Sequence, residues 1–508
     1  MNHEINAVSS GLSDDEQQLK ALGYTSNFDR SMSLWENFAL GFTYLSPVVG
    51  VYSVFAFGLA SGGPPMLWAY FIAGFGQLLV ALIFGEVVSQ FPISGGLYPW
   101  SRRLVGRSWA WMAGWIYAWA LFTTIAAVAV GAGPFLALLL GFEPSPVVIT
   151  LIALAVLLTS TLLNLGGTQT LAKVAMFGFI CELVGALVVG VYLLAFHREQ
   201  PFDIVFHTLG AEGAGSYLPA FLTAALVGLF SCYGFEACGD VAEETPDPGR
   251  RIPMAMRMTI YIGVGASAFV CYALILAVPD IGAVISGAVT DPLEQILLTT
   301  FGPWGSKAVI IVVMVSFLSC VLSLQAAVSR LLFSYGRDRM IFGSGMLSRL
   351  SEGQHVPSAA LVLAGIVPAL IVVLGLLVED ALTTIISFAV VGIYVSFQMV
   401  VIGALYARSR GWVPAGKFRL GAWGPIVNIL ALTYGIGAVI NMMWPRAPEE
   451  PWFVNYSMLL TSSIVVGAGL LYMVLFRSHE RGTAPYADAW KLNSEEEQAA
   501  VPVTSRPA

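Results

Sequence analysis

The chain runs through twelve stretches of about twenty or more mostly apolar residues, near 36–60, 65–90, 109–139, 146–166, 171–196, 217–240, 255–278, 305–335, 357–378, 381–406, 423–444 and 455–476. Each is long enough to cross the hydrocarbon core of a bilayer. With 57% apolar and 11% charged residues and a mean hydropathy of +0.78, the chain cannot face water on every side. An all-α integral membrane protein is the expected fold class, with the lipid bilayer as its main solvent.

If the first span starts from the cytoplasm, Arg198, Lys307 and Arg446 alone among the 24 Lys and Arg residues fall outside. That asymmetry predicts cytoplasmic termini by the positive-inside rule. Residues 1–33 are polar and lack an apolar core of signal-peptide length. The expected division is a cytoplasmic tail over 1–33, one twelve-helix membrane domain over 34–478 and a second cytoplasmic tail over 479–508. The net charge of −7 comes with acidic residues dense in the tails (Asp14, Asp15, Glu16; Glu495, Glu496, Glu497), so nucleic acid is not an expected partner. Cys181, Cys232, Cys238, Cys271 and Cys320 lie in or beside apolar segments at neither disulfide nor metal-ligand spacing. No cofactor or metal is expected.

Two spans are interrupted at matching places in the two halves: Gly41-Phe-Thr-Tyr-Leu-Ser46-Pro47-Val48-Val49-Gly50 and Phe230-Ser231-Cys232-Tyr233-Gly234-Phe-Glu236. Unwound backbone is tolerated at membrane depth only where it lines a cavity or is buried in protein, and paired interruptions point to a transporter's substrate site. Where a helix restarts, its first turn offers N–H donors and a positive dipole end; where one stops, it offers bare carbonyls. Residues 46–50 and 231–234 are therefore the predicted substrate contacts, mainly through backbone atoms. A kink used only for packing is the alternative for either segment alone.

The stretch Glu86-Val-Val-Ser-Gln-Phe-Pro92-Ile-Ser-Gly95-Gly96-Leu-Tyr98 with Gly114-Trp115 resembles the inner loop after the second span of amino acid–polyamine–organocation (APC) permeases. Gly234-Phe-Glu236 running into Ala242-Glu243-Glu244-Thr-Pro246-Asp-Pro248-Gly-Arg250-Arg251-Ile-Pro253 is similar to the family's pattern after the sixth span, and Ser329-Arg330 with Tyr335-Gly-Arg337-Asp338 to that at the inner end of the eighth. Leu22-Gly23-Tyr24 and Phe28-Asp29-Arg30 resemble the amino acid/choline branch. The resemblance implies a LeuT-like five-plus-five inverted repeat. Its first repeat would cover about 36–196 and its second about 217–406, with discontinuous spans one and six and extra helices at about 423–476. It also implies a secondary carrier of amino acids or related amines. At the first break this chain has Ser46-Pro47-Val-Val-Gly50 where many members carry a Gly-Ser-Gly-like run, and proline supplies no N–H.

Phe230 stands where family members place the aromatic that closes over substrate, and it could also meet an ammonium group by cation–π contact. Glu182, within Phe177-Gly-Phe-Ile-Cys-Glu182-Leu-Val-Gly, is an ionisable group near mid-span, where a charge must be paired, protonated or wet. Proton-coupled relatives place a lysine there in the role of a sodium ion. Glu182 is thus a candidate for binding a coupling proton or a cationic substrate, with a structural, protonated glutamate as the alternative. Ser316, Ser319 and Ser323 share one helix face. Ser319 and Ser323 are candidates for a sodium site, with close helix packing the alternative, so H⁺ is expected over Na⁺. Glu236 shares a face with Asp240. With Glu243, Glu244, Arg250, Arg251, Arg330 and Arg337 they form a possible inner gate of ion pairs.

The five histidines (His3, His197, His207, His355, His479) lie in tails or loops, and no nucleophile-elbow signature occurs in the spans. An enzyme is not expected, nor a channel, since no filter ring is present. Substrate exchange and nutrient sensing without turnover stay open as alternatives to proton-coupled uptake. So does the choice among neutral amino acids, γ-aminobutyrate-like zwitterions, choline-like cations and polyamines, and so does the oligomeric state.

Overall fold

A computed structural model describes residues 13–25, 28–213, 215–377, 381–482 and 489. Residue 378, at the end of one expected span, and most of both expected tails, including His3 and Glu495–Glu497, lie outside the described residues. Among the described residues, eleven helices are long and apolar enough to cross a membrane, from Leu34–Gly62 to Ser457–Phe476. The sixth expected span, 217–240, is instead a shorter apolar helix, Tyr217–Ser231, followed by the single turn Ala237–Asp240. The reason is local: Gly234 sits at φ 114°, a region open to glycine and strained for other residues, and no helix propagates through it.

Burial sorts the helices. The most apolar window of Leu34–Gly62 is 89% buried, whereas that of Ser457–Phe476 is 6% buried. The first broken helix is therefore a central element and the last helix a peripheral one. Long exposed side chains such as Phe71, Phe75, Leu158, Leu162, Val184 and Val188 cover the outer faces. The interior, by contrast, holds Glu86, Glu182, Glu236, Asp240, Glu243, Glu244 and Arg330. Polar residues inside and apolar residues outside is the inversion that lipid solvation demands.

Two further segments bear on access to the centre. Asp291, whose carboxylate accepts from Glu294 N–H at 2.9 Å, starts the helix Pro292–Arg337, which changes direction at Gly302. The short first part is amphipathic: it buries Leu293, Ile296 and Leu297 and leaves Glu294 and Gln295 exposed. At the other face, the N-terminal helix Asp14–Ala21 carries a capping box between Ser13 and Glu16. It buries Leu19, and the turn after it buries Leu22 and Tyr24.

Candidate functional site

The first break is narrower than its sequence suggests. Ser46 alone leaves the helical region, at φ 45° and ψ 88°, between helices Leu34–Leu45 and Pro47–Gly62. Proline's ring presets the first helical φ and lacks the N–H that would be orphaned there anyway, so residues 47–50 form a helical first turn rather than an unwound loop. The second break is wider: Cys232 to Glu236 lie between helix Leu226–Ser231 and the turn Ala237–Asp240.

The breaks touch one another. A Cβ on Gly234 would lie 2.6 Å from Leu45 N, and one on Gly50 would lie 3.0 Å from the Ser231 side chain. Between them is a small cavity of about 20 Å³ lined by Tyr44, Leu45, Val49, Gly50, Thr124, Val128, Phe230, Tyr233 and Cys320. That is room for about one water molecule, not for an amino acid. Of the predicted contacts, Val49, Gly50, Phe230 and Tyr233 line it; Ser46, Pro47 and Val48 form the start of the restarted helix beside it; Ser231, Cys232 and Gly234 form the backbone behind. Tyr44 and Tyr233 meet edge to face with ring centres 6.0 Å apart.

Each break carries a resident glutamate. Glu182, from helix Thr168–Phe196, accepts through Oε1 from Ser46 Oγ and from Val48 N–H, both at 2.8 Å. Its Oε2 is buried with no hydrogen-bond partner among the described residues. The remaining first-turn donors are also engaged, Val49 N–H with Ser46 Oγ at 3.4 Å and Gly50 N–H with Ser46 O at 2.8 Å. At the second break Glu236 Oε2 accepts from Gly234 N–H at 2.9 Å. Of the N–H groups expected to be free for substrate, those of Val48 and Gly234 thus donate to the protein's own carboxylates and those of Val49 and Gly50 to Ser46.

Below the second break, Tyr117 Oη lies 3.4 Å from Glu236 Oε1 and 3.3 Å from Asp240 Oδ2. One hydroxyl has one proton to donate, so the two carboxylates compete for the Tyr117 phenol. Asp240 Oδ1 has no partner among the described residues.

Two of the ion pairs expected from the sequence are present. Arg330 grips Glu244 with two bonds, Nε to Oε1 at 2.8 Å and Nη2 to Oε2 at 3.0 Å, and Thr168 Oγ1 adds a third donor to Glu244. Arg337 pairs with Glu243 at 2.9 Å. Both glutamates are buried rather than forming a solvated rim. Arg250 is exposed and Arg251 half-buried, and neither forms an ion pair among the described residues.

The Gly95-Gly96 pair explains itself here. Gly95 N–H donates to Asp240 O at 3.1 Å and Ser94 N–H to Glu243 Oε1 at 3.1 Å, docking the loop after the second helix onto the second broken helix. A Cβ on Gly95 would meet Ser334 at 2.7 Å, and one on Gly96 would meet Asp240 Oδ1 at 2.4 Å.

Sequence reasoning missed a second layer of this closure. Tyr24 donates to Asp338 at 3.0 Å and accepts from Arg102 Nη2 at 2.8 Å, while Tyr98 donates to Asp338 at 2.8 Å. The Arg337 guanidinium lies 4.1 Å from the Tyr24 ring centre. Burial, and then the Asp338 charge, push the Tyr24 phenol up to about 12, so it stays a donor at any physiological pH. Ser319 packs against Gly178, where a Cβ would be 2.6 Å away, and Ser323 Oγ is 2.8 Å from Thr43 Oγ1.

The amino acid permease family matches residues 32–464. Amino-acid permease BAT1 of Arabidopsis thaliana is 25% identical over 93% of this chain and 96% of its own length. Its Oryza sativa homolog is 26% identical over 90% and 92%, and the GABA-specific permease of Saccharomyces cerevisiae is 25% identical over 95% and 88%. The match spans the broken helices, the glycine-pair loop and the ion-paired turn alike, and the chain is a multi-pass membrane protein of the amino acid permease family in the APC superfamily.

Proposed function

We propose that this permease is a secondary active transporter of amino acids or amino-acid-derived amines, working by alternating access and taking up substrate together with a proton. Its proposed setting is the cell membrane with both termini cytoplasmic, supported by the uneven placement of Lys and Arg. The proposed architecture is twelve spans in a LeuT-like five-plus-five inverted repeat, in which Leu34–Gly62 and 217–240 are the discontinuous first and sixth. The names of the relatives make small zwitterions, γ-aminobutyrate among them, the first substrates to try.

One observation carries the reading: two broken helices meet around a small cavity, and a buried glutamate caps each break. Backbone at 46–50 and 231–234 forms the substrate site, Phe230 covers it, and Glu182 and Glu236 are the coupling groups. Ser319 is packed on Gly178 and Ser323 is bonded to Thr43; both contacts favour packing roles and hence H⁺ over Na⁺.

The test begins with thermal melting of the purified protein against amino acids, amines, choline and nucleobases. A ligand at about 100 times its Kd adds roughly 2.7 kcal/mol to the folded state. Counterflow of the hit in liposomes then separates a carrier from a sensor. Stabilisation by nucleobases alone, or binding without counterflow, contradicts the proposal.

A further inference from the structure

We propose that Glu182 is a tethered stand-in for the substrate's carboxylate, and that a proton on Glu182 vacates the Ser46 hydroxyl and Val48 N–H so that the substrate's own carboxylate can take them. This rests on the transport reading above and states how that site selects its substrate and its coupling ion.

The inference follows from counting donors at the first break. A helix start attracts anions through its free N–H groups and dipole. Here Pro47 has no N–H, Val49 and Gly50 donate to Ser46, and the Val48 N–H and Ser46 O–H both point at Glu182 Oε1. The donors that could hold an incoming carboxylate are therefore the two that Glu182 already holds. The second observation is Oε2 of the same side chain, fully buried and without a hydrogen-bond partner among the described residues. The carboxylate is satisfied along one edge only, an arrangement that is costly for a charged group and leaves an open position for a proton. The adjoining cavity, lined by Leu45, Val49 and Gly50, is about 20 Å³, so a ligand enters only as something withdraws.

The step balances without any further reactant. A proton from the bulk solution adds to Oε2, neutralising the carboxylate; the neutral acid is a weaker acceptor than the carboxylate, and the Ser46 and Val48 hydrogen bonds are released. The substrate carboxylate then accepts them. One carboxylate has replaced another at the break, and one proton has been taken up for each carboxylate bound. Among the described residues, the groups facing Glu182 are few. The first broken helix contributes Ser46 and Val48, and helix Pro292–Arg337 contributes the Cys320 thiol. Helices Pro146–Leu165 and Pro248–Ala277, which also pack on this one, bring no charged group that interacts with Glu182. Among the described residues, no arginine or lysine is placed to neutralise it in the proton's stead.

The test compares matched ligands that differ by the carboxylate: alanine with ethylamine, γ-aminobutyrate with propylamine, and lysine with cadaverine. Binding to the full-length protein is followed in weakly buffered solution at several pH values. For the acid that binds, about one proton is expected to leave solution per ligand bound, and Kd is expected to rise roughly tenfold per pH unit above the Glu182 titration. Glu182→Gln keeps size and an acceptor oxygen but cannot titrate, so proton uptake disappears and Kd becomes flat with pH. Glu182→Ala frees both donors, so the acid binds about tenfold or more tighter than to wild type at alkaline pH, again without proton uptake. Proton uptake that persists in Glu182→Ala overturns the inference. So does wild-type binding in which the amine matches its acid and Glu182→Gln weakens both, because Glu182 then pairs with the ammonium. Wild type that binds none of these ligands at any pH overturns the transport reading itself, which is a different failure.

Discussion

Removing the arginine of the Arg330–Glu244 pair is expected to do more damage than removing the whole pair. Both side chains are buried, joined by two bonds at 2.8 and 3.0 Å. Arg330→Met leaves Glu244 with the Thr168 hydroxyl as its remaining side-chain donor. A buried charge stripped of its partner costs about 3–5 kcal/mol. Glu244→Met strands Arg330 at a similar cost. In the double variant both charges are gone, and what remains is a Thr168 hydroxyl without its acceptor, about 1–3 kcal/mol. The two single losses sum to about 6–10 kcal/mol, so the cycle should show a coupling of roughly 6 kcal/mol. Unfolding in mixed detergent micelles, followed by tryptophan fluorescence and tied to melting temperatures, reads all four proteins. A double variant as unstable as the sum of the singles, or single variants within about 1 kcal/mol of wild type, refutes the reasoning, because the pair would then behave as if solvated.

Three other outcomes are expected. Gly234→Ala places a side chain at φ 114° and 2.6 Å from Leu45 N; it should cost about 1–3 kcal/mol and abolish ligand-induced stabilisation in a melting assay, whereas Gly437→Ala, whose Cβ meets nothing within 4 Å, should do neither. Tyr24→Phe removes the Asp338 donor and the Arg102 acceptor, and tryptic cleavage after the exposed Lys20 should accelerate by about tenfold. The folded Tyr24 phenol titrates near 12, above its unfolded value of about 10, so its contribution is full below about pH 10 and is lost as pH rises toward 12; hydrogen exchange over residues 13–25 should quicken across that window. Glu236→Gln still accepts from Gly234 N–H but no longer competes with Asp240 for the Tyr117 proton. Substrate flux in this variant should lose part of its pH dependence while substrate affinity changes little; flux unchanged over the full pH range removes Glu236 from the mechanism.

The positions of both breaks were legible in the sequence because proline and glycine act on their own backbone: Pro47 and Gly234 mark the interruptions wherever the rest of the chain lies. Glu182 was legible for a similar reason, since a carboxylate amid apolar residues is conspicuous. Its partners were not, because Ser46 and Val48 lie 136 and 134 residues away and only tertiary packing joins them. The width of the first break was misjudged from composition, as proline at the first helical position starts a helix as readily as it ends one. Tyr117, Thr124 and Val128 left no mark at all within a long apolar helix. Asp338 was quoted as part of a motif, yet its closure with Tyr24 joins residues 314 apart.

The central claim is uphill transport driven by protons through the two glutamate-capped breaks. The most direct measurement is uptake of the stabilising ligand by liposomes holding the purified protein, with an inward proton gradient imposed at zero sodium. Accumulation above the outside concentration, collapsed by a protonophore and absent in Glu182→Gln while counterflow persists, is the predicted result. Accumulation that ignores the proton gradient and needs sodium, or that survives intact in Glu182→Gln, contradicts the account.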